Sequence, residues 1–253
     1  MKIEIIPCLK DNYSYIIIDE KNKETCVIDP SESKPIIDFL EKKNLKLNYI
    51  LNTHHHYDHI GGNVELKKKY NSKILGFEED YKKIPQIDIK LKDGEIWKEG
   101  NFEAKIIHIP GHTLGHVCFY FYKDNNLFTG DTLFSLGCGR IFEGTYEQMF
   151  SSLEKIKKLP IKTKIYCGHE YTLQNSKFCI QYDNKNQNLI KKIKDINEKL
   201  KKNEPTIPST LEDEFKNNIF LRSDNEEIKS NLNLKGSSSL ATFSKLRDLK
   251  DNF

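Results

Sequence analysis

The chain has 253 residues, and its 40 Lys and Arg nearly balance 37 Asp and Glu, for a formal charge of +3. That balance excludes a nucleic-acid binder working through a basic field, and the lysine runs Lys67-Lys68-Lys69 and Lys201-Lys202 read as solvated helix faces. No apolar run approaches the ~20 residues that span a bilayer, and six cysteines scattered without a Cys-x-x-Cys pair read as reduced thiols of a cytosolic protein.

Met1 to Ile6 reads directly as a strand, so neither a signal nor a transit peptide is expected in front of it. Residues 3–7, 13–18 and 25–28 read as strands, the second apolar enough to lose its alternation. Asp29-Pro30 closes the third. Ser31 and Ser33 are placed to cap a helix through Ile36, Ile37 and Leu40, and residues 47–51 form the next strand.

That strand delivers Thr53-His54-His55-His56-Tyr57-Asp58-His59-Ile60-Gly61-Gly62, with four histidines and an aspartate in six positions. His54 and His56 are two apart, so on an extended segment their rings leave the same side. Asp58 and His59 follow as the chain turns, and Gly61-Gly62 opens a helix through Val64, Leu66 and Tyr70. A histidine run can be a low-complexity tract or a tag. A tag would not follow the apolar strand Tyr49-Ile50-Leu51, and imidazole and carboxylate donors crowded on a strand-to-helix corner suit zinc, iron or manganese.

Further strands are expected at 73–77, 87–91, 102–109, 117–122, 127–129 and 163–167, with a helix over 146–159. His54, His112, Asp131 and His169 each fall at the C-terminal end of a strand, the last three beside a glycine, where sheets place their chemistry. Taken together, His54, His56, Asp58, His59, His112, Asp131 and His169 are too many ligands for one tetrahedral metal. They suit two metals with Asp131 as the carboxylate bridge, a centre that lowers the pKa of a water from about 15.7 to about 7 and polarises a substrate oxygen.

After Tyr171 strand signals give way to lysine-rich helices at 172–182 and 187–202, a loop at 204–208, a capping box Ser209-x-x-Glu212, and a last helix over 241–253 capped within Ser237-Ser238-Ser239. This region reads as a helical second domain with Phe243, Leu246 and Leu249 on its packing face.

The order Thr-His-x-His-x-Asp-His, Gly-His-Thr, Gly-Asp-Thr, Gly-His-Glu resembles the metallo-β-lactamase superfamily. Pro110-Gly111-His112-Thr113, Gly130-Asp131-Thr132-Leu133-Phe134, Gly137-Cys138-Gly139-Arg140, Phe142-Glu143-Gly144-Thr145, Cys167-Gly168-His169-Glu170-Tyr171-Thr172, Pro208-Ser209-Thr210-Leu211 and Arg247-Asp248-Leu249-Lys250-Asp251-Asn252-Phe253 narrow the resemblance to the glyoxalase II family, the hydroxyacylglutathione hydrolases. It covers essentially the whole chain. It implies an α+β fold, a four-layer αβ/βα sandwich over residues 1–170 carrying a dinuclear metal site, and a C-terminal all-helical domain over 171–253 that contributes glutathione-binding residues.

By that resemblance His54, His56 and His112 hold one divalent ion, Asp58, His59 and His169 the other, and Asp131 bridges. Zinc is the expected metal, with iron or manganese as alternatives. Asp58 and Asp131 are the catalytic carboxylates. The reaction implied is hydrolysis of S-D-lactoylglutathione to D-lactate and glutathione, the second step of methylglyoxal detoxification, with the small thioester as partner and neither nucleic acid nor membrane. A thiolate leaving group with a pKa near ~8.5 departs without a proton donor, so no separate acid is required. Arg140, Tyr171, Arg247 and Lys250 match positions that hold glutathione. Arg140 stands where animal members have lysine, and Phe142 where a tyrosine is expected. Arginine still binds a carboxylate, whereas Phe142 donates no hydrogen bond. His55 is expected to support the cluster, and His108 and His116 to be supporting, core or surface residues. Cys138 lacks the histidine and acid of a nucleophile. Competing readings are a mononuclear-iron persulfide dioxygenase on the same sandwich and a non-catalytic metal-binding module.

Overall fold

The computed structural model describes residues 1–253, which form two compact units. The first contains residues 1–108 and 115–130, and the second residues 109–114 and 131–253.

The first unit begins with β1 (Lys2–Cys8), β2 (Asn12–Asp19) and β3 (Glu24–Ile28), an antiparallel meander. Helix α1 (Ser33–Lys42) leads to β4 (Tyr49–Leu51). The short α2 (Tyr57–Ile60) and α3 (Asn63–Tyr70) lead to β5 (Lys73–Phe77), and β6 (Ile89–Leu91) follows. The strands β3, β4, β5 and β6 pair in parallel, so the sheet runs β1-β2-β3-β4-β5-β6 in sequence order. Parallel strands need crossovers, and α1 and α3 supply them while covering one face. Ile36, Leu40 and Leu66 pack there with Ile16, Val27, Ile50 and Ile74. Cover on both faces explains why β2 reads as an almost continuous apolar run, Tyr13 to Ile18 broken only by Ser14, with every residue buried.

Strands β7 (Ile96–Glu99), β8 (Phe102–His108), β9 (Val117–Phe121) and β10 (Asn126–Gly130) form a second antiparallel array in the order β10-β9-β8-β7. Tyr15 of β2 meets Phe128 of β10 edge-on at 5.3 Å, and Tyr49 of β4 meets Trp97 of β7 at 5.3 Å. The two arrays therefore share an aromatic core in which each buried ring contributes roughly 1.5–3 kcal/mol.

In the second unit, the two-stranded hairpin β11 (Leu133–Phe134) and β12 (Gly137–Cys138) precedes α4 (Tyr146–Lys157) and β13 (Lys164–Cys167). Helices α5 (Thr172–Tyr182) and α6 (Gln187–Lys201) are followed by β14 (Ser209–Thr210), which pairs antiparallel with β13. Then come α7 (Leu211–Asn217), α8 (Glu226–Asn231) and α9 (Ser239–Asp251). Phe243 of α9 packs on Phe150 of α4 at 5.7 Å and on Phe220 at 6.0 Å.

Several local expectations need correction. Helix α1 has Glu32 at its N-cap and no side-chain cap, while Ser33 Oγ instead meets Glu65. The expected capping box at Ser209 does not form, and Thr210 caps α7 instead by accepting the Asp213 N–H. Gly61-Gly62 does open the expected helix, with Gly62 at the N-cap of α3, and Gly61 also ends the short α2 that the sequence reading lacks. Strands β7, β11 and β12 and helix α8 escape the sequence reading because pieces of two to six residues carry too little periodicity.

Candidate functional site

In the first unit the histidine segment leaves β4 through Asn52 and Thr53, and one buried carboxylate organises it. Asp29, at the end of β3, accepts from Thr53 N at 2.7 Å and Thr53 Oγ1 at 2.6 Å, and lies 3.0 Å from His59 Nδ1. Asp29 takes a left-handed φ of 47° to do so, a conformation that Asp tolerates better than most residues. The turn that brings Asp58 and His59 back needs glycine, since a Cβ on Gly61 would lie 2.4 Å from Ser31 O.

His54 and His59 are fully buried, their rings 4.2 Å apart, and His54 Nδ1 lies 3.0 Å from Thr53 Oγ1. His56 brings Nδ1 to 3.1 Å from His54 Nε2. Asn12 donates to Asp58 Oδ2 at 3.0 Å and fixes that carboxylate. Asp29, His54 and His59 offer nitrogen and oxygen atoms all within 4.8 Å of one another. His55 turns away to Asp80 at 3.0 Å, His116 stacks on His54 at 4.6 Å, and His108 stacks on Phe77 at 4.5 Å. Asp29 was missed as a functional residue. Its signal was an aspartate closing a buried strand, which a turn residue also gives.

In the second unit Asp131 follows β10, His112 follows Pro110-Gly111, and His169 follows β13, and all three are buried. His169 Nε2 lies 3.2 Å and His112 Nε2 3.6 Å from the same oxygen, Asp131 Oδ2. His112 Nδ1 donates to the Arg140 carbonyl at 2.7 Å, which leaves Nε2 as the ring's lone-pair nitrogen. Tyr171 stacks on His169 at 4.6 Å and 7°, with Phe134 edge-on to Tyr171 at 5.3 Å. Phe142, 60 % exposed, sets its edge against His112 at 5.2 Å.

This donor set fits divalent metals. The ligand types are imidazole and carboxylate, the histidines are buried, and the outer nitrogens of His59 and His112 are held by oxygen acceptors, the arrangement that fixes tautomer and ring direction in metal sites.

The basic residues gather around Asp251. Arg140 Nε lies 3.2 Å from Asp251 Oδ1, and Arg247 reaches the same oxygen through Nε at 3.1 Å and Nη2 at 2.8 Å. Arg247 is buried, and its Nη1 donates to Cys138 O at 2.6 Å, so it secures β12 as well as offering charge. Lys250 lies over Phe253 at 4.8 Å and Phe178 at 5.3 Å. Burial, then the Arg247 charge, lowers its pKa to about 8. Cys138 is buried, and burial pushes its thiol up to about 11, which removes it as a nucleophile near neutral pH.

Comparison with known proteins decides the family. A model of the metallo-β-lactamase superfamily matches residues 10–169, and a model of the hydroxyacylglutathione hydrolase C-terminus matches residues 170–253. A hydroxyacylglutathione hydrolase of Pelagibacter ubique (strain HTCC1062) is 64% identical over 253 residues, all of both chains. The chain belongs to the hydroxyacylglutathione hydrolases. Another member, from Rhodopseudomonas palustris (strain BisB5), is 43% identical over 99% of this chain and 98% of its own. The BLEG-1 B3 metallo-β-lactamase crystal structure shares the fold, with a TM-score of 0.69 at 22% identity over 87% of this chain and 99% of the other. The fold is thus that of the metallo-β-lactamases followed by a helical C-terminal region, and this hydroxyacylglutathione hydrolase is a thioester hydrolase by family. Its C-terminal family segment begins immediately after His169, so all seven candidate ligands precede it.

Proposed function

We propose that the chain hydrolyses S-D-lactoylglutathione to D-lactate and glutathione at a two-metal centre, the second step of methylglyoxal detoxification. His54, His56 and His112 would hold one ion, Asp58, His59 and His169 the other, and Asp131 would be shared. Residues 1–170 would supply the metal domain and 171–253 most of the glutathione contacts. Zinc is the proposed metal, with iron or manganese accepted by the same donors. The observation that carries the reading is the turn of His112 and His169 onto one oxygen of Asp131.

When bound, the ions supply a strongly acidified water and polarise the thioester carbonyl. The chain's own residues do the rest. Water adds its oxygen to the carbonyl carbon, the C–S bond breaks, and glutathione leaves as a thiolate whose pKa, ~8.5 for a free thiol, needs no acid. Asp58 and Asp131 act by holding the ions. Tyr171, with its ring on His169, presents a phenolic hydroxyl to the substrate. Arg140, Arg247 and Lys250 attract the two glutathione carboxylates, by paired hydrogen bonds in the case of arginine. Six buried free thiols support a reducing, cytoplasmic setting, and no helix is long and apolar enough to cross a membrane.

Steady-state hydrolysis of S-D-lactoylglutathione, with metal content assayed on the same sample, tests this. Activity lost on chelation and restored by zinc is the expected result. A folded, fully metallated protein that leaves the thioester intact would overturn it.

A further inference from the structure

The hairpin of β11 and β12 starts two residues after Asp131 and ends two residues before Arg140, whose carbonyl holds His112. It is a two-stranded sheet of its own, with two residues in each strand, so most of its backbone groups lack ladder partners. Buried N–H and C=O groups must still be paired. Here the partners are side chains of the helical region. Glu214 Oε2 accepts from Leu136 N at 2.8 Å and from Asn218 Nδ2 at 3.0 Å. Asn218 Nδ2 also lies 3.1 Å from Gly137 O and 3.3 Å from Phe134 O. Asn175 of α5 donates to Ser135 O at 3.0 Å.

Asn175, Glu214 and Asn218 are all buried, and the turn they surround holds Leu136 at a left-handed φ of 59°. A bulky residue persists there only when its surroundings over-determine it. The hairpin is therefore shaped by α5 and α7 rather than by its own turn sequence. The chain closes tightly at its foot, where Gly139 N donates to Thr132 O at 3.1 Å.

We infer that Glu214, Asn218 and Asn175 are positioning residues for the metal centre: they fix the Leu133–Cys138 hairpin, and through it the Asp131 carboxylate on one side and the Arg140 carbonyl that orients His112 on the other. This rests on the proposed role of Asp131 and His112 as ligands. It gives the helical region a second task beside substrate binding. Burial pushes the Glu214 carboxyl above its ordinary range against its hydrogen bonds, and what the hairpin takes from it is an acceptor oxygen for the Leu136 N–H and the Asn218 amide.

Zn(II) affinity of the full-length chain, by competition with a chromophoric chelator, tests the inference, with thermal unfolding of the metal-stripped protein run beside it. Glu214→Ala is expected to weaken Zn(II) binding ~10-fold or more, the scale of lost outer-shell support. Glu214→Gln keeps an acceptor oxygen and is expected to stay within about threefold of wild type. Glu214→Ala with wild-type affinity and only a lower melting temperature would overturn the inference. If Glu214→Ala does not fold, Asn175→Ala decides, because it removes one bond and no buried carboxyl. At least ~3-fold weaker binding supports positioning, and wild-type affinity overturns it. A wild-type chain that binds no Zn(II) would instead overturn the metal reading on which the inference rests.

Discussion

Asp29 joins three groups of the histidine segment with one carboxylate, the Thr53 amide, the Thr53 hydroxyl and the His59 ring. All three approach as donors. Asparagine would turn an NH₂ toward them or lose one acceptor, so Asp29→Asn and Asp29→Ala are both expected to weaken metal binding by roughly 10–100-fold. Chelator competition measures this, and unaltered affinity in both variants would remove Asp29 from the centre. Lys250 sets a different expectation. Its pKa, lowered from 10.5 to about 8, leaves the ammonium increasingly deprotonated as pH rises through 8. An anionic substrate needs the charged form, so KM is expected to rise between pH 7 and 9, and Lys250→Gln to flatten the rise. The sign for stability is opposite. Burying the charged amine costs stability below pH 8, and that cost is relieved between about 8 and 10.5. A KM profile over pH 7–9 that is the same with and without Lys250 would place the amine outside the substrate's reach.

At the scale of elements, strand ends and tight corners place the candidate residues. The sequence showed the strand ends because β4, β10 and β13 each break into Gly or a polar residue just before a ligand. It showed nothing of β11 and β12, whose hairpin is held by side chains from 40 to 109 positions away in sequence. Gly139 is part of that corner. A Cβ there would lie 1.8 Å from the Asp131 carbonyl oxygen, a backbone atom that cannot swing aside. Gly139→Ala must therefore move Asp131 or open the corner. It is expected to lose ~1–3 kcal/mol of stability and to lower kcat/KM by more than the stability loss explains. Thermal unfolding and hydrolysis on one preparation check this, and wild-type turnover in the variant would show that the corner tolerates the shift.

For the whole molecule, metal and folding are linked, because an ion that binds only the folded chain stabilises it. At a free zinc concentration ~1,000 times Kd the gain is about 4 kcal/mol, and for a chain of this size 1 kcal/mol is worth roughly 2–4 °C. Chelation is thus expected to lower the melting temperature by ~8–16 °C, with zinc restoring it. An identical melting curve with and without chelator would argue against a metal bound at the buried histidines. By itself the sequence determined the family, the order of the longer strands and helices and the candidate metal donors, because those signals are local. Donor types crowd within six positions at residues 54–59, glycines mark strand ends, and apolar periodicity marks helices. Only the tertiary structure decided which groups those donors and the basic residues meet. Asp29, the Glu214 and Asn218 pair, and Asp251 between two arginines are ordinary polar residues in sequence. They acquire their roles from burial and from partners distant along the chain, and no local pattern carries that information.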